Sequence, residues 1–177
     1  MKSINNYISE KLVINRNINK IHYNYFPKTK EELQDIIEQR IKEEGNECDL
    51  NDIDVSEITD MSYLFIMQSN FNGDISQWDV SNVTDMQNMF AWCAFNGDIT
   101  NWDVSNVKNM YSMFSESSFN QDISNWNVHN VEDMRWMFEC SDFNQDISKW
   151  DVSNVKHIQC MFYNTPLEGK QKAWWNK

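Results

Sequence analysis

From residue 71 to residue 162 the apolar positions come round every 24 residues. Phe71, Phe95, Phe119 and Phe143 keep that spacing, as do Trp78, Trp102, Trp126 and Trp150, and Phe90, Phe114, Phe138 and Phe162. A fixed period of this length lies in the range of about 20–29 residues typical of leucine-rich repeats and is too short for helical-hairpin repeats. Within one copy, Ile75-x-x-Trp78-x-Val80-x-x-Val83 has the leucine-rich spacing with valine in the last slot. Trp78 and Val80, two apart, predict a short strand with both side chains inward. Val83, Met86, Met89 and Phe90 then recur at three and four, which predicts a short helix. Asn82 is placed to cap that helix, with Asp85 at its third position, and Asn106, Asn130 and Asn154 repeat the cap. Phe-Asn-Gly/Gln-Asp then turns the chain back.

A degenerate copy precedes the clean ones. Shifted by 25 residues, Asp49, Leu50, Ile53, Val55, Ile58, Met61 and Phe65 fill the positions of Asp74, Ile75, Trp78, Val80, Val83, Met86 and Phe90. Upstream, residues 1–26 alternate loosely and suggest one or two strands or irregular cover. After Pro27, Thr29 and Glu32 form a capping box that opens a helix. Leu33, Ile36, Ile37 and Ile41 lie on one face of it, and Gly45 is a natural stop. A repeat stack exposes the apolar edge of its first unit, so this helix reads as a cap. At the other end Pro166 stops the pattern, and Trp174 and Trp175 are expected to fold back over the last repeat. The expected fold is α/β: a leucine-rich-repeat solenoid of about five 24-residue turns, each a short strand plus a short helix. Residues 1–47 form its N-terminal strand/helix cap, 48–165 its repeats and 166–177 its C-terminal cap.

The charge is unevenly spread. Residues 48–165 carry four basic and eighteen acidic side chains, net −14, whereas residues 1–47 are neutral overall. Such an acidic surface argues against direct contact with nucleic acid or an anionic membrane. The N-terminus has no apolar run of signal-peptide length, and no stretch reaches the roughly 20 apolar residues of a membrane helix. The chain is therefore expected to be soluble and cytoplasmic. Cys48, Cys93, Cys140 and Cys160 make no C-x-x-C pair, so reduced and mostly buried thiols are expected.

The string F-N-x-D-I-S-x-W-[DN]-V-x-N-V-x-x-[MI]-x-x-M-F resembles the BspA-like leucine-rich repeat family, found in many bacterial surface proteins. The likeness covers about residues 48–165, with four full copies agreeing at more than ten positions. The preceding helix and the Pro-Leu-Glu-Gly segment resemble the flanks of that family. What the resemblance implies is a solenoid that binds protein and has no enzymatic activity.

An inward Trp78 and Val80 would leave three columns on the concave surface, at rungs about 4.8 Å apart. Asp52, Gln77, Asn101, Asn125 and Lys149 form the first. Asp54, Asp79, Asp103, Asn127 and Asp151 form the second, and Ser56, Ser81, Ser105, His129 and Ser153 the third. Four carboxylates in one column repel one another, which favours a face that receives a basic partner, although Asp also bonds neighbouring Ser or backbone groups. Asp74, Asp98, Asp122 and Asp146 follow the turn Asn and suit a structural Asx turn. There is no EF-hand loop and no short glycine-rich calcium repeat, so no metal is expected. The three histidines have no triad or ligand arrangement, and no phosphate loop occurs, so neither an enzyme nor a cofactor is expected. The leading expectation is a protein-binding module. An acidic inhibitor that mimics nucleic acid in the basic channel of an enzyme such as a defence nuclease is the alternative, and a fragment of a surface adhesin is a third.

Overall fold

Thr29 starts the only helix among the described residues. The computed structural model describes residues 22–170. Most of the expected N-terminal strand region and the expected Trp174–Trp175 lid therefore lie outside the described residues. Helix α1 spans Lys30–Glu44, with the Thr29 side chain accepting from the Glu32 amide and Gly45 (φ 94°) closing it by donating to the Ile41 carbonyl. The reciprocal arm of the capping box lands one residue early, because Glu32 Oε2 accepts from the Lys28 amide at 2.7 Å. Leu33 and Ile37 are buried against the first repeat. Arg40 ties the helix down: its guanidinium meets Asp52 at 2.8 Å and the Asp49 carbonyl at 2.7 Å, and lies over the Tyr25 ring.

Behind α1 the chain winds through five stacked rungs, residues 49–73, 74–97, 98–121, 122–145 and 146–169. Single parallel bridges join them, Asp60 to Asp85, then Asn109, Asp133 and His157. The first step is 25 residues and the others 24, as the sequence alignment requires. A second set joins Tyr25 to Ile53 and Asp49 to Asp74.

The rungs contain neither the strand nor the helix expected of them. Apart from α1, the described residues hold only isolated bridges and turns. The α/β leucine-rich-repeat solenoid with a strand and a helix per turn and a helical cap is thereby overturned. The reason lies in where the backbone hydrogen bonds go. Trp78 donates to the Ile75 carbonyl and Val83 to that of Val80, so the supposed strand is two successive β-turns. The three-and-four spacing of Met86, Met89 and Phe90 is likewise produced by β-turns. Met89 donates to the Met86 carbonyl, while the amides of Met86, Asn88, Phe90 and Trp92 donate to Asn109, Tyr111, Met113 and Ser115 of the next rung. No amide of this stretch is left for an i−4 partner. Each such segment needs two residues in the left-handed region, four apart: Tyr63 and Met67, Asn88 and Trp92, Ser112 and Glu116, Trp136 and Cys140, Cys160 and Asn164. In the first of each pair the φ > 0 residue occupies the third position of a type II turn.

The stack is held by ladders of identical groups. Each indole donates to a carbonyl of the rung before it, Trp78 to Leu50, Trp102 to Ile75, Trp126 to Ile99 and Trp150 to Ile123, at 2.9–3.2 Å. Phe65, Phe90, Phe114, Phe138 and Phe162 stack in one file at 5.4–5.9 Å, and Phe71, Phe95, Phe119 and Phe143 in another. The asparagines expected to cap helices instead donate across rungs. Asn82, Asn106, Asn130 and Asn154 reach the carbonyls of Ser56, Ser81, Ser105 and His129.

Candidate partner-binding face

The three polar columns do run along one flank of the stack. Gln77, Asp79, Asn101, Asp103, Asn125, Asn127, His129, Lys149 and Asp151 are exposed, and Asp54 is half-buried. Without a sheet there is no concave strand surface, so the columns form a file of turn corners.

The second column is built as Asx turns. Oδ1 of Asp79 takes the Ser81 amide at 3.1 Å and hydroxyl at 2.6 Å. Asp54 does the same with Ser56. Asp103 takes the Ser105 amide at 3.0 Å, Asp151 that of Ser153 at 3.1 Å, and Asn127 that of His129 at 3.2 Å. The column expected to be structural, Asp74, Asp98, Asp122 and Asp146, makes the same bond to the amide two residues on, at 2.9 Å in each case. A third file, Asp60, Asp85, Asn109 and Asp133, repeats it. The sequence signal was an Asp with its amide partner two residues ahead, common to all three files. One carboxylate oxygen in each column is thus a fold requirement, and the other is what remains for binding.

That remainder differs along the flank. At the first rung Asp52 is spent on Arg40 and on the Asn24 side chain. At the fifth, Asp151 Oδ2 lies 2.9 Å from His129 Nδ1, whose other ring nitrogen faces the Asn154 amide at 3.2 Å. Ser153, and after it His129, hold the Asp151 carboxyl down at about 2. Lys149 adds a positive charge beside Asp122 and Asp146. Between these ends, Asp79 and Asp103 each have an Oδ2 without a partner among the described residues, and Ser105 holds Asp103 below the usual carboxylate range. Asp54 has its Oδ2 free too but is half-buried; burial first, and then Asp54 and Asp79 together, push the Tyr23 hydroxyl up.

Exposed apolar side chains that periodicity did not single out stand elsewhere on the rungs: Tyr63, Met67, Trp92 and Tyr163, between 41% and 73% exposed. Tyr63, Met67 and Trp92 sit on left-handed turn tips. Trp92 was visible as a tryptophan outside the 24-residue file. Among the described residues no group of three or more His, Cys, Asp or Glu is arranged to hold a metal, and no helix is long and apolar enough to cross a membrane.

This stack of turns is where a family profile matches, over residues 31–139 and again over 115–176. Its description reads "Mycoplasma protein of unknown function, DUF285". The chain belongs to this family. The two DUF285 matches overlap within the rungs and take in α1 almost from its start. No curated protein and no solved structure matches the chain.

Proposed function

We propose that this DUF285 chain is a non-enzymatic interaction module that binds a protein with a basic surface through its exposed polar flank, with Asp79 and Asp103 carrying the contact. One observation supports the reading above the rest. These two carboxylates stand exposed on neighbouring rungs with one oxygen fixed and the other free, while Asp52 and Asp151 towards its two ends are already paired. Repulsion between two such carboxylates about 5 Å apart costs only on the order of 1 kcal/mol in water, which a stack of this size carries. A cation from a partner would cancel it. The likeness of the repeat string to BspA-like repeats supports protein binding as well. The four unpaired cysteines suit a reducing compartment, and the cytoplasm is the location we assign.

The test removes charge without removing the turn. Asn127 already occupies the column and makes the same Asx bond, so Asp79→Asn with Asp103→Asn keeps the fold, whereas lysine at either site would lose the bond to Ser81 or Ser105. After affinity capture from source cells and identification by mass spectrometry, the partner's affinity for the double variant is measured directly. A loss of at least about tenfold is expected, steeper at low salt than at high, with the melting temperature unchanged. Equal affinity for wild type and variant would dismiss this flank as the binding site.

A further inference from the structure

Two of the exposed apolar side chains stand where the backbone gains nothing from them. Met67 and Trp92 are 73% and 50% exposed, at φ 60° and 53°. A bulky residue in the left-handed region strains the chain, whereas Asn or Gly fits there more easily. The same file of tips ends in Asn164, at φ 54°, and the companion file holds Asn88, so asparagine suits these turns. Neither Met67 nor Trp92 belongs to the hydrophobic core. Backbone strain and apolar exposure coincide at two side chains that add nothing to that core. Such a coincidence marks a contact surface.

The two residues are neighbours. Met67 donates its amide to the Ala91 carbonyl, Trp92 to that of Ser115 and Glu116 to that of Glu139, so the three occupy one column on successive rungs. Adjacent members lie about 4.8 Å apart, the spacing of paired strands. The column changes character along the stack, from apolar Met67 and Trp92 to an exposed Glu116. On the fourth rung, Glu139 is half-buried, with Oε2 taking the Ser115 hydroxyl at 3.1 Å, and Asp142 is exposed. No lysine or arginine occurs in residues 115–118 or 139–142. These carboxylates, with the net −14 of residues 48–165, disfavour an anionic lipid surface as the thing contacted. Trp92 also comes 13 residues after Asp79 in a rung of 24, well removed along the winding from the polar flank.

We propose that Met67 and Trp92 form a docking ridge for a second protein, whose surface offers an apolar pocket with lysine or arginine at its rim. The Trp92 indole is the anchor that enters the pocket, because buried tryptophans carry an outsized share of the energy at protein interfaces. Glu116, one rung on, meets the basic rim and sets which way round the partner sits. The ridge does not rest on what the flank at Asp79 and Asp103 binds.

Trp92→Asn removes the anchor and supplies a residue the turn accepts, so the melting temperature should stay within about 2 °C of wild type. Immobilised full-length wild type and Trp92→Asn are offered the same extract of source cells, and the retained proteins are identified by mass spectrometry. A protein held by wild type and lost by the variant is then purified and titrated. Its affinity should fall at least about tenfold for Trp92→Asn and about threefold for Met67→Ala. Glu116→Gln should weaken binding at low salt and lessen its salt dependence. The same set of proteins on wild type and Trp92→Asn would overturn the ridge. A larger fall in melting temperature would do so as well, by making the indole part of the fold. Binding indifferent to Glu116→Gln and to salt would remove the basic rim. Trp92-dependent binding to phosphatidylcholine vesicles, with no protein retained, would assign the ridge to a lipid surface instead.

Discussion

Helix α1 closes its backbone hydrogen bonds on itself, and the rungs close theirs on one another. Both segments bury an apolar row at helical spacing. In α1, Leu33 and Ile37 lie one helical turn apart and the amides are satisfied four residues back. In the rungs, Met86, Met89 and Phe90 are equally buried, but alternate amides point along the stack to the next copy. The difference lies in what a neighbour supplies. An isolated helix needs no partner for its backbone, whereas a rung is complete only between two others. Side-chain periodicity reports which residues face inward and is silent on which way the amides point.

The largest effect expected from that contrast comes from Trp102→Ala. The indole is 4% exposed, stacks 6.4 Å from Trp78 and donates to the Ile75 carbonyl at 3.2 Å. Its loss opens a cavity in the middle of the stack and leaves that carbonyl with one donor fewer, for a cost of about 3–5 kcal/mol by chemical denaturation. A 15-residue helix is marginal alone, so α1 should unfold together with the rungs. Helical ellipticity and tryptophan fluorescence then share one transition, and the variant moves both to lower denaturant. A helical signal that survives beyond the fluorescence transition would mean that α1 does not depend on the stack. A cost below about 1 kcal/mol would mean the tryptophan file is not core.

Much of this was legible in the chain itself. The period, the inward Ile, Trp, Val, Met and Phe files, the degenerate first copy and both ends of α1 are fixed by local chemistry: apolar recurrence, a threonine cap and a glycine stop. The turns that stand where a strand and a helix were expected in each rung were not legible, because Ile75-x-x-Trp78 and Val80-x-x-Val83 are the same spacing whether the chain extends or turns. The asparagines misled for a related reason. A side-chain amide that caps the next residues and one that donates to the previous rung look alike in sequence, and only the stacked carbonyls of Ser56, Ser81 and Ser105 distinguish them. At the candidate flank the exposed residues were foreseen, but the division of labour within each carboxylate was not. The bond from Asp to its neighbouring Ser was foreseen as a possibility for this column, but not that it would fix Oδ1 of Asp79 on Ser81 and leave Oδ2 over.

A smaller effect probes the other side of the comparison. Thr29→Ala removes the bond to the Glu32 amide at 3.2 Å and should cost about 1 kcal/mol. Because the defect is confined to the helix end, the cost should appear in global stability only if α1 and the rungs unfold as one unit. A drop in helical ellipticity at unchanged midpoint would show that the helix frays alone. Thr29→Ser, which keeps an acceptor in place, should restore most of the loss.

The smallest effect runs in the opposite direction and is specific to the rungs. Ser112 sits at φ 51° in the turn from Met110 to Met113, and its amide donates to the Arg135 carbonyl at 2.9 Å. A side chain in the left-handed region costs roughly 1–2 kcal/mol, and glycine there avoids that cost while losing about 0.5–1 kcal/mol more chain entropy on folding. Ser112→Gly should therefore stabilise the protein by about 0.5 kcal/mol. Asn88, in the same file at φ 53°, tolerates the conformation better than most residues, so Asn88→Gly should gain less. Glycine inside α1, for instance Gln34→Gly, should instead cost about 0.5–1 kcal/mol. The signs separate the two regions: were the Val83–Phe90 segment and its copies helical, glycine at 112 would destabilise as it does in α1. Denaturation midpoints of the three variants, measured side by side, decide it. A loss of stability at Ser112→Gly equal to that at Gln34→Gly would return the helix to the rungs.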